Sequence, residues 1–336
     1  MARCLSMKND EVIVAVKNAR MDRFVSFTIT SDLFAPEGSF SFEVDPRYDV
    51  SAGNLCSIFV NRKMVLAGIV DTVKRSLSKQ GPSLSFEGRS VASILTDSCV
   101  TKFSTLPTKI DALAERLVRP LQFIGKKDFI YNGAKKESVS RKFVEISPGD
   151  TVFEVIKRAA NSLGYLFWAS PDGKFVFDKP LVRGRADYKI HALEDGSEMD
   201  YIEGSVEHTI NGIHSEVKVV GESQDGDDIK YVMATAKNGD MPFAKPLVVN
   251  WNENDGPAKR TAELQVAVEK ASSTRLEYTL KGFSQNGKVW QINKFVDVRD
   301  DYNGVRDAYL VKSVTFTLDR QSGMRTKLEL QPGGSL

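Results

Sequence analysis

The chain contains three histidines, and their spacing argues against a shared catalytic or metal site. His208 and His214 lie six residues apart, and His191 lies further upstream. Two histidines that bind one metal from a helix are usually four residues apart, and a catalytic histidine is usually accompanied by an acid in a recognisable signature. The sequence has neither pattern around these residues. We therefore interpret all three as exposed or structural histidines.

Carboxylates are concentrated in a polar stretch that contains Glu194, Asp195, Glu198 and Asp200. A glycosidase needs a pair of such acids, yet clustered acids in a polar loop usually form a solvated surface. The sequence also lacks the phosphate-binding loop, the nucleophile elbow, the zinc-protease helix and the dinucleotide fingerprint. We predict no enzymatic activity and assign no catalytic, cofactor-binding or metal-binding residue and no cofactor.

A basic stretch from Gly125 to Lys142 interleaves aromatic residues with positive charges. Phe129 and Tyr131 lie among Lys126, Lys127, Lys135, Lys136, Arg141 and Lys142. This composition is compatible with contact to a nucleic-acid backbone or to an acidic protein. A hairpin with a solvated loop explains it as well, and we favour the hairpin. The whole chain has 46 basic and 44 acidic residues, so its net charge of +2 does not favour a polyanion as the main partner.

The three cysteines, Cys4, Cys56 and Cys99, are odd in number and far apart. This spacing predicts neither a disulfide framework nor a zinc site, and it fits a reducing compartment. The N-terminal residues alternate like a β-strand, which is not the pattern of a signal peptide. No stretch approaches the roughly 18 apolar residues of a membrane-spanning helix. We predict no direct insertion into a membrane.

One hairpin pattern occurs twice, at residues 57–89 and 296–331. In the first copy one strand face contains Ile69, Asp71, Val73, Arg75 and Leu77, followed by a turn at Gly81 and by Leu84 and Phe86. In the second copy it contains Leu310, Lys312, Val314, Phe316 and Leu318, followed by a turn at Gly323 and by Leu328 and Leu330. The period of two indicates half-buried strands, and a charged residue interrupts both copies at the same step. Either the chain contains an internal repeat, or two unrelated hairpins share a common pattern.

Changes of period divide the chain into three predicted domains. Residues 1–95 show five or six short strands, which is typical of a small barrel or sandwich. Residues 96–182 combine helical and strand patterns, and residues 183–336 return to strands after a poorly periodic stretch at 183–211. The predicted helices lie near residues 108–118, 150–163 and 257–271, and a hairpin follows the second helix.

Five stretches, in order along the chain, carry a resemblance to a known family. They are APEGSFSFEVDP at residues 35–46, LAGIVD at 66–71, FEGRSVASILTDSC at 86–99, SPGDTVFEVIKRAANSLGYLFWASPDGKFVF at 147–177 and YTLKGFSQNGKVWQINKFVDVRDD at 278–301. The last contains a W-x-x-N-x-x-V pattern at Trp290, Asn293 and Val296. The chain thus resembles the baseplate hub family of contractile-tailed phages, in particular the Mu-like tail protein P family, related to the T-even baseplate hub. The resemblance does not extend to residues 183–211 and 225–244.

The resemblance implies a β-rich α+β fold with two tail-tube-like β-barrel domains and an inserted α/β domain. It implies a homotrimeric ring, in which six similar barrels meet a sixfold tail tube while the threefold ring binds the central spike. The implied function is structural, namely to adapt these symmetries and to help initiate tube assembly. The implied partners are the spike protein, the tail tube protein or a tube initiator and other baseplate proteins, while DNA only passes through the lumen. The implied location is the tail baseplate of the virion, assembled in the cytoplasm of the bacterial host.

Three other functions are kept as alternatives. The hub of a contractile bacteriocin or another tail-derived injection machine has the same architecture, so one chain does not separate it from a phage hub. A tail-associated enzyme that degrades the cell wall would need an acid pair in a cleft and a positive lysis assay. A stand-alone nucleic-acid binder would show a steep dependence of binding on salt, and the near-zero net charge argues against it.

Overall fold

The computed structural model describes residues 10–17, 19–79, 81–101, 106–121, 123–179, 181–225, 228–251 and 258–333. Strands dominate these residues, and four α-helices accompany them. The predicted fold class, β-rich α+β, is confirmed at this level. None of the helices in the described ranges is both long enough and apolar enough to cross a membrane.

Seven strands precede the first helix and form what we call the N-terminal β-unit. They are β1 (Val12–Val16), β2 (Ala19–Met21), β3 (Phe24–Asp32), β4 (Ser39–Val44), β5 (Leu55–Val60), β6 (Lys63–Ser78) and β7 (Gly81–Ser90). Buried side chains alternate with more exposed ones along β1, β4 and β5. This alternation follows from the period of a strand that has one face on an apolar core.

The middle of the chain combines helices with a small sheet around a core of its own. Its elements are α1 (Ser93–Asp97), α2 (Ile110–Val118), β8 (Phe129–Tyr131), α3 (Val152–Ser162), β9 (Leu166–Ala169) and β10 (Phe175–Asp178), with short 3-10 turns at Lys126–Asp128 and Arg141–Val144. A capping box starts α3, because the Thr151 hydroxyl accepts from the Glu154 backbone N–H at 3.2 Å and the Glu154 carboxylate accepts from the Thr151 N–H at 2.9 Å. Gly164, with φ of +77°, follows its last turn.

The basic stretch does not form the hairpin that we favoured from the sequence. Instead, β8 runs parallel to β10, with Phe129 beside Phe175 and Tyr131 beside Phe177. Phe129 is buried, and its ring lies 5.4 Å from that of Phe175. The hairpin prediction was wrong because the partner of residues 129–131 lies far downstream, and local periodicity carries no information about which strands pair.

The last part of the chain contains a second β-unit and a separate small sheet. Its elements are β11 (Tyr188–Ala192), β12 (Glu203–His208), β13 (Glu216–Asp225), β14 (Asp228–Lys237), β15 (Pro246–Trp251), α4 (Ala258–Ser272), β16 (Thr274–Lys281), β17 (Ser284–Gln285), β18 (Lys288–Val289), β19 (Phe295–Asp300), β20 (Val305–Asp319) and β21 (Gly323–Gln331). We call β11, β12, β16, β19, β20 and β21 the C-terminal β-unit. Strands β13 to β15 form a three-stranded sheet whose apolar face packs on α4. The poorly periodic stretch at 183–211 supplies β11 and β12.

The two β-units belong to one continuous sheet. Its strand order is β12-β16-β21-β20-β3-β4-β7-β6-β5-β1-β2. Two further strands lie beside this path, because β19 pairs with the first half of β20 and β11 pairs with β19. The units meet where β3 runs antiparallel to β20, from Phe27 beside Leu318 to Asp32 beside Ser313. Within the described ranges, these pairings leave both units open and close neither into a barrel.

One apolar core lies beneath both β-units. Near their junction, Phe283 packs against Phe27 of the N-terminal unit and Phe316 of the C-terminal unit, with ring centroids 5.8 and 5.3 Å apart. All three rings are buried. Because burial of one such side chain contributes about 1.5–3 kcal/mol, this shared cluster stabilises the junction in addition to the strand pairing.

The two β-units share one strand order. Six strands of the N-terminal unit each have a counterpart in the C-terminal unit with the same chain order and the same position in the sheet. The pairs are β1 and β11, β3 and β12, β4 and β16, β5 and β19, β6 and β20, and β7 and β21. The hairpins β6–β7 and β20–β21 each contain a β-bulge, at Asp71 and at Lys312. Each bulge lies seven residues before the end of its strand (78 − 71 and 319 − 312). One pairing differs, because β1 is antiparallel to β5 whereas β11 is parallel to β19. The common order and bulge position favour an internal repeat over two unrelated hairpins.

Candidate assembly surface

The side of the large sheet that faces away from the core is polar across β3, β4, β7 and the second half of β6 and across β12, β16, β21 and the second half of β20, and we call this surface the polar face. Alternate residues of each strand point to this side. They include Ser26, Thr28, Ser41, Glu43, Thr72, Lys74, Ser76, Ser83, Ser85 and Glu87 in the N-terminal unit and Ser205, Glu207, Glu277, Thr279, Thr315, Thr317, Arg325, Lys327 and Glu329 in the C-terminal unit. At the junction, the hydroxyls of Thr30 and Thr315 lie 3.2 Å apart in a hydrogen bond. The polar face therefore continues from one unit to the other.

The N-terminal half of the polar face and the end of β20 form a groove of about 640 Å³. Half of its lining residues carry hydroxyl groups, and the others are charged or belong to the apolar residues Phe27, Phe42, Phe86 and Leu318. The lining hydroxyls belong to Ser26, Thr28, Ser41, Thr72, Ser76, Ser83, Ser85 and Thr317. The charged residues in the lining are Glu43, Lys74, Glu87 and Asp319. Because the lining mixes both signs of charge among small hydroxyls, it is better suited to a hydrated surface than to tight binding of one charged ligand.

The C-terminal half of the polar face carries an ion-pair network across β16, β20 and β21. Arg275 contacts Glu277 at 2.6 Å and Glu329 at 3.1 Å. Glu329 also contacts Lys312 at 2.6 Å, and Lys327 contacts Glu277 at 2.8 Å. The hydrogen bond from Lys327 outweighs partial burial and holds the pKa of the Glu277 carboxyl below its usual range. The network thus links three neighbouring strands on the side that faces away from the core.

Both bulge residues form an ion pair with the other strand of their hairpin. Asp71 accepts a hydrogen bond from Nε of Arg89 at 2.7 Å, and Lys312 donates one to Glu329 at 2.6 Å. The bulge residue is the acid in the N-terminal unit and the base in the C-terminal unit. In each hairpin, the extra residue of the bulge is therefore held by a charge-assisted bond to the neighbouring strand.

Arg89 extends its contact with the bulge to the start of the middle region. Its guanidinium contacts Glu37 at 3.2 Å and Asp97, the last residue of α1, at 2.8 Å. The hydrogen bond from Arg89 lowers the pKa of the Asp97 carboxyl, and the same bond raises the pKa of Arg89. This single side chain joins three acidic residues from different parts of the chain, counting Asp71.

His191 lies between carboxylates and ties β11 to its surroundings. Its Nδ1 contacts Glu198 at 2.7 Å, its Nε2 contacts Asp297 at 3.1 Å, and its backbone N–H donates to Asp200 at 3.0 Å. Hydrogen bonds from Lys189 first, and then from His191, lower the pKa of the Glu198 carboxyl. Glu198 and Asp200 are thus engaged in contacts that support a strand.

The remaining residues singled out from the sequence occupy local positions. Glu194 and Asp195 follow β11, and Asp195 accepts hydrogen bonds from the backbone and hydroxyl of Ser197 at 2.9 and 2.7 Å. His208, on the exposed β12, contacts the hydroxyl of Thr274 at 3.1 Å. Among the described residues, the hydrogen-bond partners of His191 are Glu198, Asp297 and Asp200, and they do not include these three side chains.

His214 contacts the buried Glu269 of α4, with Nδ1 3.0 Å from the carboxylate. Burial raises the pKa of Glu269, but hydrogen bonds from Gln265 and His214 outweigh it, so that the pKa lies below its usual range. His214 therefore joins the start of the small sheet to α4. In the part of the chain that the structure describes, no group of histidine, cysteine and acidic residues is arranged to hold a metal.

The two cysteines in the described part of the chain, Cys56 and Cys99, form no disulfide. Cys56 is buried in β5, and burial raises the pKa of its thiol to about 12. Cys99 is exposed, and Cys4 lies outside the described residues. A buried thiol with a raised pKa is a poor nucleophile and packs as a small apolar side chain.

Sequence reasoning missed the strand that ends the large sheet. β12 pairs with β16 and has no second strand beside it in the described part of the chain. Its sequence, EGSVEH, is mostly exposed and carries acidic residues near both ends. Charged side chains on a short strand are typical of a sheet edge, and they were the available signal.

Comparisons with known proteins agree with this architecture. Residues 11–90 match the family described as Mu phage baseplate assembly protein GpP-like, N-terminal. Residues 92–179 match the family described as baseplate hub protein gp44-like, second domain. The chain is related to the Mu-like baseplate hub proteins. The resemblance that the five sequence stretches indicated is confirmed.

The similarity to hub proteins extends over nearly the whole chain. Baseplate hub protein gp44 of Escherichia phage Mu is 21% identical over 325 residues, which cover 92% of this chain and 84% of that protein. A tail protein from Neisseria meningitidis MC58 has a crystal structure that matches with a TM-score of 0.82 at 23% identity, covering 96% of both chains. The E. coli c3393 protein, a type VI secretion component similar in structure to the T4 tail proteins gp27 and gp5, matches with a TM-score of 0.61 at 11% identity, covering 95% of this chain and 76% of that one. The structural matches show that the shared fold includes the residues beyond 179.

Proposed function

We propose that the chain is a structural subunit of the baseplate hub of a contractile-tailed phage or prophage. The observation that carries this proposal is the pair of β-units with one strand order, joined in a single sheet through β3 and β20. Similarity to a phage Mu hub protein over 92% of the chain supports the same role. The function is structural, and we assign no reaction to the chain.

Three copies of the chain form a ring that adapts two symmetries. Such a ring is threefold, yet it contains six similar β-units because each chain contributes two. The threefold symmetry fits a trimeric central spike on one side. The six β-units fit a sixfold tail tube on the other side, where the ring provides a template for the first layer of tube protein or for a tube initiator.

In the ring, each β-unit becomes part of a tail-tube-like barrel. Contacts with neighbouring units cover strand edges that one chain leaves without a strand partner, which removes a risk of unspecific association. We place the polar face toward the lumen. Its hydroxyls and mixed charges suit the passage of DNA, because a strongly basic wall would retain a polyanion.

The domain boundaries that we propose are residues 1–95, 96–182 and 183–336. The first and last domains hold the two β-units, and the middle one has its own apolar core. The two family matches change from one to the other between residues 90 and 92. The middle domain lies outside the large sheet, and we propose that it binds other baseplate proteins.

We place the protein in the tail baseplate of the virion, after assembly in the bacterial cytoplasm. A second candidate is the hub of a contractile bacteriocin or another injection machine, and similarity to a type VI secretion component favours keeping it. The two candidates differ in the particle that contains the protein. Detection of the chain in particles that package DNA supports the phage hub, and detection only in contractile particles without DNA supports the second candidate.

The mass of the purified protein in solution tests the ring. One chain has a mass of 37.3 kDa, so three chains have a mass of about 112 kDa (3 × 37.3). Light scattering behind a sizing column should give this mass, and negative-stain averages should show a ring with a central hole. A protein that stays monomeric at all concentrations, and also after addition of the spike protein, contradicts the proposal.

A further inference from the structure

Two strand edges of the large sheet lack a neighbouring strand in the described part of the chain. Residues 72–77 of β6 pair with β7 on one side and have no second strand beside them, because β5 accompanies β6 only as far as Ile69. At one end of the sheet, β12 pairs only with β16. The backbone groups along such edges are available to pair with a strand of another chain.

The internal repeat shows what each edge binds when it is covered. The counterpart of β6 is β20, and residues 313–318 of β20 are covered by β3. The counterpart of β12 is β3, the strand that covers β20. Within the described residues, the pairing of β3 with β20 therefore occurs once, while the counterparts of these two strands, β12 and β6, each keep an edge that has no neighbouring strand.

The bulges align β6 with β20 residue by residue. Asp71 and Lys312 are the extra residues of equivalent bulges, so residues 72–77 correspond to residues 313–318. Both segments follow the bulge directly and lead to the turn of their hairpin. The alignment therefore needs no insertion or deletion.

The strand pairs align β12 with β3. In the C-terminal unit the ladder of paired residues runs from Val314 through Leu328 and Tyr278 to Gly204. In the N-terminal unit the equivalent ladder runs from Val73 through Phe86 and Phe42 to Phe27. Gly204 thus corresponds to Phe27, and residues 204–209 correspond to residues 27–32.

We propose that residues 204–209 of one copy of the chain pair antiparallel with residues 72–77 of the next copy. This inference rests on the proposed ring and specifies the contact that closes it. Within the chain, Thr30 lies opposite Thr315 and Phe27 lies opposite Leu318. The equivalent register places Glu207 opposite Lys74 and Gly204 opposite Leu77. The contact is head to tail, which is the type that closes into a ring.

Charge complementarity supports this register. Glu207 and Lys74 are both exposed in the single chain and lie on the polar face. The proposed pairing brings their opposite charges directly across from each other, which stabilises an antiparallel pair. Their counterparts, Thr30 and Thr315, already form a side-chain hydrogen bond at 3.2 Å in the pairing within the chain.

The exposure of Leu77 supports the same contact. Its side chain is 83% exposed, although the alternation of β6 places it on the same side as Val73, which packs against the core. Its counterpart Leu318, covered by β3, packs against the core. A second copy of β12 would cover Leu77 as β3 covers Leu318, and it would remove an apolar side chain from water.

Charge reversal tests the register. Lys74→Glu and Glu207→Lys each place like charges opposite each other, and we expect each to raise the protein concentration at half trimer formation by at least about tenfold. The double variant restores the opposite pair and should return this concentration to within about threefold of the wild-type value. Lys63→Glu, on the half of β6 that β5 already covers, is the matched control and should leave it unchanged. Light scattering over a dilution series measures the effect, and thermal unfolding checks that each variant is folded.

A cysteine pair tests the same contact independently of affinity. Lys74→Cys combined with Glu207→Cys should form disulfides between chains under mild oxidation and give covalent trimers on a non-reducing gel. Lys74→Cys combined with Glu203→Cys is the control, because residue 203 lies four positions out of register. The two single-cysteine variants report any cross-link through Cys4, Cys56 or Cys99.

The outcomes separate this inference from the proposed ring. Wild-type trimers that neither charge reversal nor the in-register cysteine pair affects would overturn the inference and leave the ring intact. Covalent dimers or open chains without trimers would support the strand pairing and contradict the ring. A protein that is monomeric throughout and forms no in-register cross-link would overturn both.

Discussion

In the N-terminal β-unit, Phe40 lies opposite Gly88 across β4 and β7, whereas the equivalent pair in the C-terminal unit is Leu276 and Leu330. All four residues are buried. A large ring beside a residue without a side chain occupies the space that two leucines share in the other unit. A repeated strand order therefore survives replacement of its core residues when their combined volume is kept.

The two units also stabilise the turn before their long strand in different ways. Between β5 and β6, Asn61 and Arg62 have φ of +49° and +67°, as in a two-residue type I′ hairpin. Between β19 and β20, the longer loop is held by the buried carboxylate of Asp300, which accepts from Tyr278 at 3.0 Å and Asn303 at 2.8 Å. One unit depends on local backbone conformation, and the other depends on a buried polar network.

The largest expected effect comes from giving the N-terminal unit the residue of its counterpart. In Gly88→Leu, the new Cβ would collide with the carbonyl oxygen of Ile69 and with the ring of Phe40. We expect the free energy of unfolding to fall by more than about 4 kcal/mol, since the backbone cannot move aside without breaking the ladder. Urea unfolding measures the loss. Gly239→Leu, at a position with no atom near the added Cβ, should cost less than about 0.5 kcal/mol, and equal costs would contradict the volume argument.

The buried carboxylate of the C-terminal unit should give the next largest effect. Asp300→Ala leaves the buried hydroxyl of Tyr278 and the amide of Asn303 without their acceptor, and we expect a loss of about 2–3 kcal/mol in the free energy of unfolding. Asp307→Ala, on the exposed part of β20, is the control and should cost about 0.5 kcal/mol or less. A similar cost for both variants would show that the network adds little.

Removal of the cation at each bulge compares the two hairpins directly. Arg89→Met leaves three carboxylates near one another, and we expect a loss of about 1–2 kcal/mol that becomes smaller in high salt. Lys312→Met leaves Glu329 paired with Arg275, so its cost should stay below about 1 kcal/mol. Urea unfolding at low and high sodium chloride measures both. The reverse order of costs would contradict the view that the N-terminal bulge has the stronger network.

The smallest expected effect is a pH dependence that belongs to the C-terminal polar face. The lowered pKa of Glu277 means that its ionised form stabilises the fold above an unfolded-state pKa of about 4.3, and this contribution is lost as the pH falls through the lower folded-state pKa. Glu277→Gln should therefore cost less than about 1 kcal/mol at pH 7, and the difference from the wild type should shrink below about pH 4. Glu43→Gln, on the N-terminal half of the same face, controls for the loss of one negative charge. A difference that persists unchanged at pH 3 would rule out this electrostatic origin.

Many individual elements could be read from the sequence because their signals are local. The stretch from Ser147 to Asp150 and the stop at Gly164 predict a helix over 150–163, and the structure has α3 over Val152–Ser162. The charged residues that interrupt the two hairpin patterns, Asp71 and Lys312, are the extra residues of the two bulges. The bulges also correct the single strand face that the sequence predicted. Ile69 and Leu310 pair with Arg89 and Gln331, whereas Val73 and Val314 pair with Phe86 and Leu328, so the residues before and after each bulge lie on opposite sides of the strand.

Pairing across long separations could not be read in this way. β12 was missed because an edge strand with polar residues on both faces has weak periodicity, and the parallel partner of β8 was missed because β10 lies far downstream. The groove of the polar face has the same origin, since its hydroxyls come from five strands that become neighbours only after folding. The sequence shows each residue of the candidate surface, but it does not show that these residues become neighbours.

The strand and helix periods, the repeated hairpin and the family resemblance can all be read from the sequence. Only the folded chain shows that the two β-units share a sheet, through contacts such as Thr30 with Thr315, which are 285 residues apart in the chain. It also shows which strand edges in the described part of the chain have a neighbouring strand. The physical reason is that periodicity reports how one segment divides its side chains between core and solvent, whereas strand pairing depends on two surfaces that must first be folded and brought together.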